Sequence, residues 1–108
     1  MSLSEAQYNQ LTEDTFFAIE EALDDTGADI DCESSGSVMT IDCEVSSTQI
    51  IISRQLATRE IWLAAKSGGF HCGYQDDQWW CAATGESLQA LLSRVCTEQT
   101  GESVSLTW

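Results

Sequence analysis

Tyr8, Leu11, Thr15, Ile19, Ala22 and Leu23 recur at the three-and-four spacing of one buried helix face. Ser4 stands ahead of them as N-cap, Gln7 closes a capping box with it, and Leu3 is placed to staple onto Tyr8. The helix should stop at Thr26-Gly27, with Gly27 as the left-handed cap. The period then changes from helical to alternating. Ala28 to Glu33 reads as a strand with Ala28, Ile30 and Cys32 inward and Asp29, Asp31 and Glu33 outward. After a turn over Ser34–Ser37, Val38 to Val45 continues with Met39, Ile41, Cys43 and Val45 inward and Thr40, Asp42 and Glu44 outward. The two strands form a hairpin.

A turn at Ser46–Thr48 leads into Gln49–Gln55, whose run Ile50-Ile51-Ile52 suits a central strand. Glu60–Ala65 follows, with Ile61 and Leu63 on one face and Trp62 on the other. Gly68-Gly69 reads as a turn, Phe70–Tyr74 as a fifth strand, Asp76-Asp77 as another turn and Gln78–Ala82 as a sixth strand. Short strands with tight connections make the sheet antiparallel. Thr84–Ser87 introduces a second helix with the stripe Leu88, Leu91, Leu92, Val95 and Cys96, ended by Gly101. The tail, Val104 to Trp108, alternates and is expected to lie extended in the groove between the helices. The fold class is α+β.

At 108 residues the chain is expected to form one domain with a real core. A net charge of -14 argues against nucleic acid or anionic lipid as partners, since both would be repelled. Hydrophobic content of 43% with four Trp excludes a disordered acidic tail. No basic, apolar leader opens the chain and no apolar span reaches about 18 residues, so a soluble, cytoplasmic protein without membrane segments is expected. Five cysteines without a C-x-x-C pair speak against a disulfide framework and a structural zinc site. Buried free thiols are the simplest account, with a Cys32–Cys43 bridge left open.

Charge is distributed unevenly. Twelve of the eighteen acids fall in the first 44 residues, and no Lys or Arg occurs before Arg54. On the first helix, Glu13, Glu20 and Asp24 share a stripe, as do Asp14, Glu21 and Asp25. Glu20 with Asp24 and Glu21 with Asp25 are like-charge i,i+4 pairs, each costing about 0.2–0.5 kcal/mol. They also crowd the helix C-terminus, which favours cations. A solubilising face is the bland explanation of a charge run. Clustering against local stability favours a surface that attracts metal ions or a basic protein. Phe17 falls among these acids; if exposed it would offer a contact point, but its ring is expected to fold along the helix surface.

Several residues beyond the acids carry a more specific likeness: Ile50-Ile51-Ile52-Ser53-Arg54-Gln55, Ile61-Trp62-Leu63-Ala64, Gly68-Gly69-Phe70-His71, and Trp79 with Gly85-Glu86. Together with Ile19–Asp25 and Asp29–Glu33, they make the chain resemble the frataxin family over almost its whole length, its bacterial branch in particular. Ser53, Ala57 and Cys72 depart from the family pattern, which usually has Asn, Pro and an aromatic there. The resemblance implies a two-layer sandwich with both helices on one face of an antiparallel sheet of about six strands. It also implies a part in iron–sulfur cluster assembly: iron bound weakly by surface carboxylates, and docking on the cysteine desulfurase and the scaffold protein. On this footing Glu20, Glu21, Asp24, Asp25, Asp29, Asp31 and Glu33 form the metal ridge. Glu20, Glu21, Asp24 and Asp25 double as partner contacts, and Trp62, Arg54 and Gln55 form a scaffold-facing sheet surface. A monomer is implied, with iron-dependent oligomers left open.

Carboxylates without His or Cys nearby are hard oxygen ligands suited to Fe, Mn, Mg or Ca. An EF-hand loop starting at Asp29 is excluded, because Ser34 replaces the required Gly and Thr40 the closing Glu. Iron as the metal therefore rests on the resemblance. Ile61 and Leu63 claim the core-facing direction, so Trp62 should be exposed and meet a partner. Arg54 and Gln55 are equally compatible with ordinary sheet-face roles, and His71 with a solvated or supplementary-ligand role. No nucleophile, paired base or phosphate loop stands at motif spacing, so a non-enzymatic iron-binding regulator leads. The rivals are a pure interaction module whose iron binding is incidental, and catalytic oxidation of ferrous iron on the ridge.

Overall fold

A computed structural model describes residues 3–108. Helix α1 spans Glu5–Asp25 and helix α2 Leu88–Thr100; between them lie β1 (Ile30–Ser35), β2 (Val38–Cys43), β3 (Thr48–Gln55), β4 (Glu60–Ala65), β5 (Gly68–Gln75), β6 (Gln78–Cys81) and β7 (Glu86–Ser87). The strands form one antiparallel sheet in chain order. Both helices pack on the same face of it. The seventh strand is one more than the pattern suggests: Ser87 pairs with Trp80 and Glu86 with Cys81 in a segment too short to show a period.

Ser4 caps α1 as expected, accepting from the Gln7 amide while the Gln7 side chain accepts from the Ser4 amide. Gly27, at φ 69°, provides the left-handed exit. The buried stripe of α1 is rotated from the expected one. Tyr8, Thr12, Phe16, Ile19, Ala22 and Leu23 are buried, whereas Leu11 and Thr15 are half-buried. Thr12 tolerates burial because its hydroxyl donates to the Asn9 carbonyl. Thr15 instead takes a hydrogen bond at 3.0 Å from the Trp79 indole, and Tyr8 and Tyr74 meet Trp79 edge-on. This aromatic junction fastens α1 to β5 and β6.

In the sheet, Met39, Ile41, Cys43, Ile50, Ile52, Ile61, Leu63, Cys72 and Cys81 face the helices and are buried. The α2 stripe from Leu88 to Cys96 meets them as expected, and Gly101 caps the helix at φ 75°. Gln99, though polar, is buried: it accepts from the Lys66 amide and donates to Thr48, tying α2 to β3 and the β4–β5 turn. The tail returns along α2, with the Val104 and Leu106 amides bonded to the Thr97 and Ser93 hydroxyls. Trp108 lines a cleft with Leu11 and Ala18 of α1 and Leu88 of α2, as the alternation led us to expect.

Three local expectations fail. The β4–β5 turn lies at Lys66–Ser67, and Gly68 and Gly69 belong to β5, because the strands close on an Ala65–Gly68 pair. Val45 is exposed, since β2 ends at Cys43 and the chain turns over residues 44–47, with Ser47 left-handed. Phe17 does not fold back along the helix; it is 62% exposed. All five cysteines are free, and Cys32 lies opposite Ile41, out of register with Cys43.

Candidate functional site

The acids of α1 remain uncompensated in the fold. Glu21, Asp24 and Asp25 are exposed, Glu20 is half-buried, and the last turn contains no basic residue. Glu20 points toward the sheet edge, where it accepts a hydrogen bond from the Ser34 hydroxyl of β1. Burial and the nearby Glu20 charge push the Cys32 thiol up to about 11. The helix half of the ridge thus joins the strand half at Glu20.

On β1, Ile30 and Cys32 pack toward the helices, so Asp31 and Glu33 project from the open face of the sheet. Asp29 precedes them, and its carbonyl accepts from the Glu44 amide. Register brings Asp42 opposite Asp31, and the Glu44 carboxyl neighbours that of Asp31, with which it can share a hydrogen bond once one of the two is protonated. The shared hydrogen bond, with the Asp31, Asp29 and Asp42 charges, raises the Glu44 pKa. Asp42 and Glu44 therefore belong to the candidate ridge, although the sequence named neither as a ligand. The register of the hairpin is the signal that finds them. A raised carboxyl pKa favours the fold most at low pH, and this contribution is lost as pH rises through the folded value. Glu44→Gln should therefore make the protein slightly more stable at neutral pH and flatten its stability profile just above the ordinary carboxylate range. Thermal melts across pH would check this; an unchanged profile would contradict it.

The four cations do not neutralise this surface. Arg94 bridges Glu86 at 2.9 Å and Glu98 at 3.3 Å, and Glu86 is held below its usual pKa by that partner. Arg59 donates to the carbonyls of Leu3 and Leu56. Among the described residues, no acid between Glu13 and Glu44 forms a salt bridge with Lys or Arg. Nor do three ligands converge there as an enclosed metal centre among the described residues. Open carboxylates of this kind hold a hard cation with most of its waters retained, giving low affinity and little discrimination.

The second candidate surface is the open sheet face. Trp62 stacks on His71 across the β4–β5 pair, with centroids 4.2 Å apart and planes within 10°. The Trp62 indole donates to Glu60 at 2.9 Å, so the ring is held in place. Beside it, Gly69 and Ala64 leave a depression of about 130 Å³ bordered by Ile51 and the stacked pair. Val38 and Ile51 add exposed apolar surface. Gln55 is on this face and donates to Ser53, the residue opposite Trp62.

Arg54 is not on this face. It follows Ile50 and Ile52 in alternation and lies on the helix side, its guanidinium 4.7 Å from the Phe16 ring and its buried Nε without a hydrogen bond. Trp62 and Gln55 are thus brought together as the likeness implied, and Arg54 is separated from them by the thickness of the sheet. His71 is occupied in the stack. No helix among the described residues is long and apolar enough to cross a membrane.

Comparison with known proteins agrees with this architecture. The family model of the frataxin-like domain matches residues 1–102. The chain is 46% identical over 106 residues to the iron–sulfur cluster assembly protein CyaY of Stutzerimonas stutzeri, covering 96% of each chain. Among solved structures, the frataxin of Psychromonas ingrahamii superposes with a TM-score of 0.90 at 30% identity, covering 98% of this chain and 100% of that one. Trimeric yeast frataxin complexed with ferrous iron superposes at 0.68 and 21% identity over 94% of this chain and 90% of that one, a likeness of fold. By its sequence and by its fold of one sheet under two helices, the chain belongs to the frataxin-like family.

Proposed function

We propose that this protein serves iron–sulfur cluster assembly as a non-enzymatic, weak iron-binding regulator. Ferrous or ferric iron is held on the ridge of Glu20, Glu21, Asp24, Asp25, Asp29, Asp31 and Glu33, extended by Asp42 and Glu44. The same ridge docks on the basic surface of a cysteine desulfurase, while Trp62 and Gln55 on the open sheet face meet the scaffold protein. The observation that carries this reading is the uncompensated run of carboxylates from the end of α1 over the β1 edge. The names of its relatives supply the pathway.

A second reading is favoured by the lack of an enclosed ligand set among the described residues and by exposed Phe17: the ridge exists for protein docking, and iron binding is incidental. Titration of labelled protein with Fe2+ and separately with the desulfurase, followed by amide NMR, tests both. Shifts confined to residues 20–44 are expected in each titration. Silence there in both would remove the ridge from the account. Desulfurase binding that survives strict metal removal and ignores added Fe2+ would select the docking reading. Oxygen consumption no faster than that of free ferrous iron is expected, in keeping with a non-enzymatic role.

A further inference from the structure

Two cysteines outside both candidate surfaces face each other across β5 and β6. The pairing of Gln75 with Gln78, Tyr74 with Trp79 and Gly73 with Trp80 continues one step to set Cys72 against Cys81. Neither has any exposed surface. The intervening turn has two residues, Asp76 and Asp77, both left-handed at φ 50° and 63°. Such a turn closes on a hydrogen-bonded pair, here Gln75 and Gln78, and strict alternation then makes Cys72 and Cys81 a non-hydrogen-bonded pair. Cα atoms in such pairs are about 4.5 Å apart, within the roughly 4.4–6.8 Å that a disulfide spans. The two thiols are neighbours in the core, and Cys81 raises the cost of ionising Cys72. Cys43 and Cys96 are also neighbours in the core, but they lie in different layers of the fold, on β2 and α2, where no strand register sets their spacing.

We propose that Cys72 and Cys81 form a reversible two-electron modification site, oxidised by a peroxide or a small-molecule disulfide to a bridge across the β5–β6 hairpin. With hydrogen peroxide, one cysteine attacks as thiolate and the O–O bond breaks, leaving a sulfenic acid and, after proton uptake, water. The second thiol attacks the sulfenic sulfur; the S–O bond breaks, water leaves and the S–S bond forms. In sum, two thiols lose two electrons and two protons, and one peroxide becomes two waters. With a small disulfide, exchange passes through a mixed disulfide and releases two small thiols.

Desolvation, with the neighbouring Cys81, pushes the Cys72 thiol up to about 12, so the closed hairpin reacts slowly and local opening sets the pace. β6 has four residues and β7 beyond it two, which makes opening at this end of the sheet less costly than at its centre. The bridge would fix β5, the strand whose His71 stacks on Trp62.

The test uses the full chain at about pH 8, treated with excess hydrogen peroxide or, separately, oxidised glutathione, then mapped by non-reducing peptide mass spectrometry. A loss of about 2 Da located in a peptide joining Cys72 to Cys81 is expected, reversed by dithiothreitol. The melting temperature should rise by about 5–10 °C. Cys72→Ala and Cys81→Ala should each abolish that product. A bridge mapped to Cys43–Cys96 or Cys32–Cys43 would overturn the proposal, as would gains of about 16 or 32 Da on single cysteines. So would thiols that stay free after hydrogen exchange shows the β5 and β6 amides to have opened.

Discussion

Asp24→Lys combined with Asp25→Lys is expected to weaken Fe2+ and desulfurase binding roughly tenfold or more while making the isolated protein more stable. The two effects have one cause. Lysine at these positions turns the Glu20–Asp24 and Glu21–Asp25 repulsions into attractive i,i+4 pairs with the glutamate N-terminal, and it places cations at a helix end that has none. These exposed terms together amount to about 1 kcal/mol at low salt, or a rise in melting temperature of about 4–8 °C. Calorimetric melts and binding titrations of the same sample would measure both. Undiminished binding would reduce the acids to a solubilising face. A loss of both stability and binding would mean that the substitution had damaged the helix itself.

Trp79→Ala should be among the most damaging single changes, at about 3–5 kcal/mol. The side chain is 5% exposed, meets Tyr8 at 6.0 Å and Tyr74 at 5.1 Å, and donates to Thr15 on α1. Its removal opens a cavity between the first helix and the short end of the sheet, and it strands the Thr15 hydroxyl. Trp79→Phe keeps much of the volume and loses the hydrogen bond, so about 1–2 kcal/mol is expected. Denaturant titrations followed by circular dichroism would rank the variants. A cost below about 1 kcal/mol for the alanine form would show that α1 is held mainly by other contacts.

The outward direction of the acids was legible because it depends on local period alone. β4 was legible end to end, with Ile61 and Leu63 alternating against Trp62. Errors arose where a boundary had to be placed. A turn over Ser34–Ser37 pairs Glu33 with Val38, whereas the two-residue turn at Gly36-Ser37 pairs Ser35 with Val38. A slip of two residues preserves the face and changes every neighbour, which is why Asp31 meets Asp42 and why Glu44 was overlooked as a ligand. Arg54 was misplaced for a different reason. Alternation already groups it with Ile50 and Ile52, but the family likeness placed it beside Gln55 and Trp62, although successive residues of a strand face opposite ways. Its aliphatic stem and a ring beneath its guanidinium make the inward position tenable.

The order of the two helices and the first six strands, the acid-rich first third and the outward direction of the acids on β1 and β2 follow from periods and charges carried by a few adjacent residues, and the sequence alone determined these. Which carboxylates meet across β1 and β2, that the Phe16 ring lies beneath the Arg54 guanidinium, and that Cys72 stands against Cys81 depend on register and on contacts between residues far apart in the chain. Such pairings are settled only when all strands and both helices close on one core, so the tertiary structure decided them.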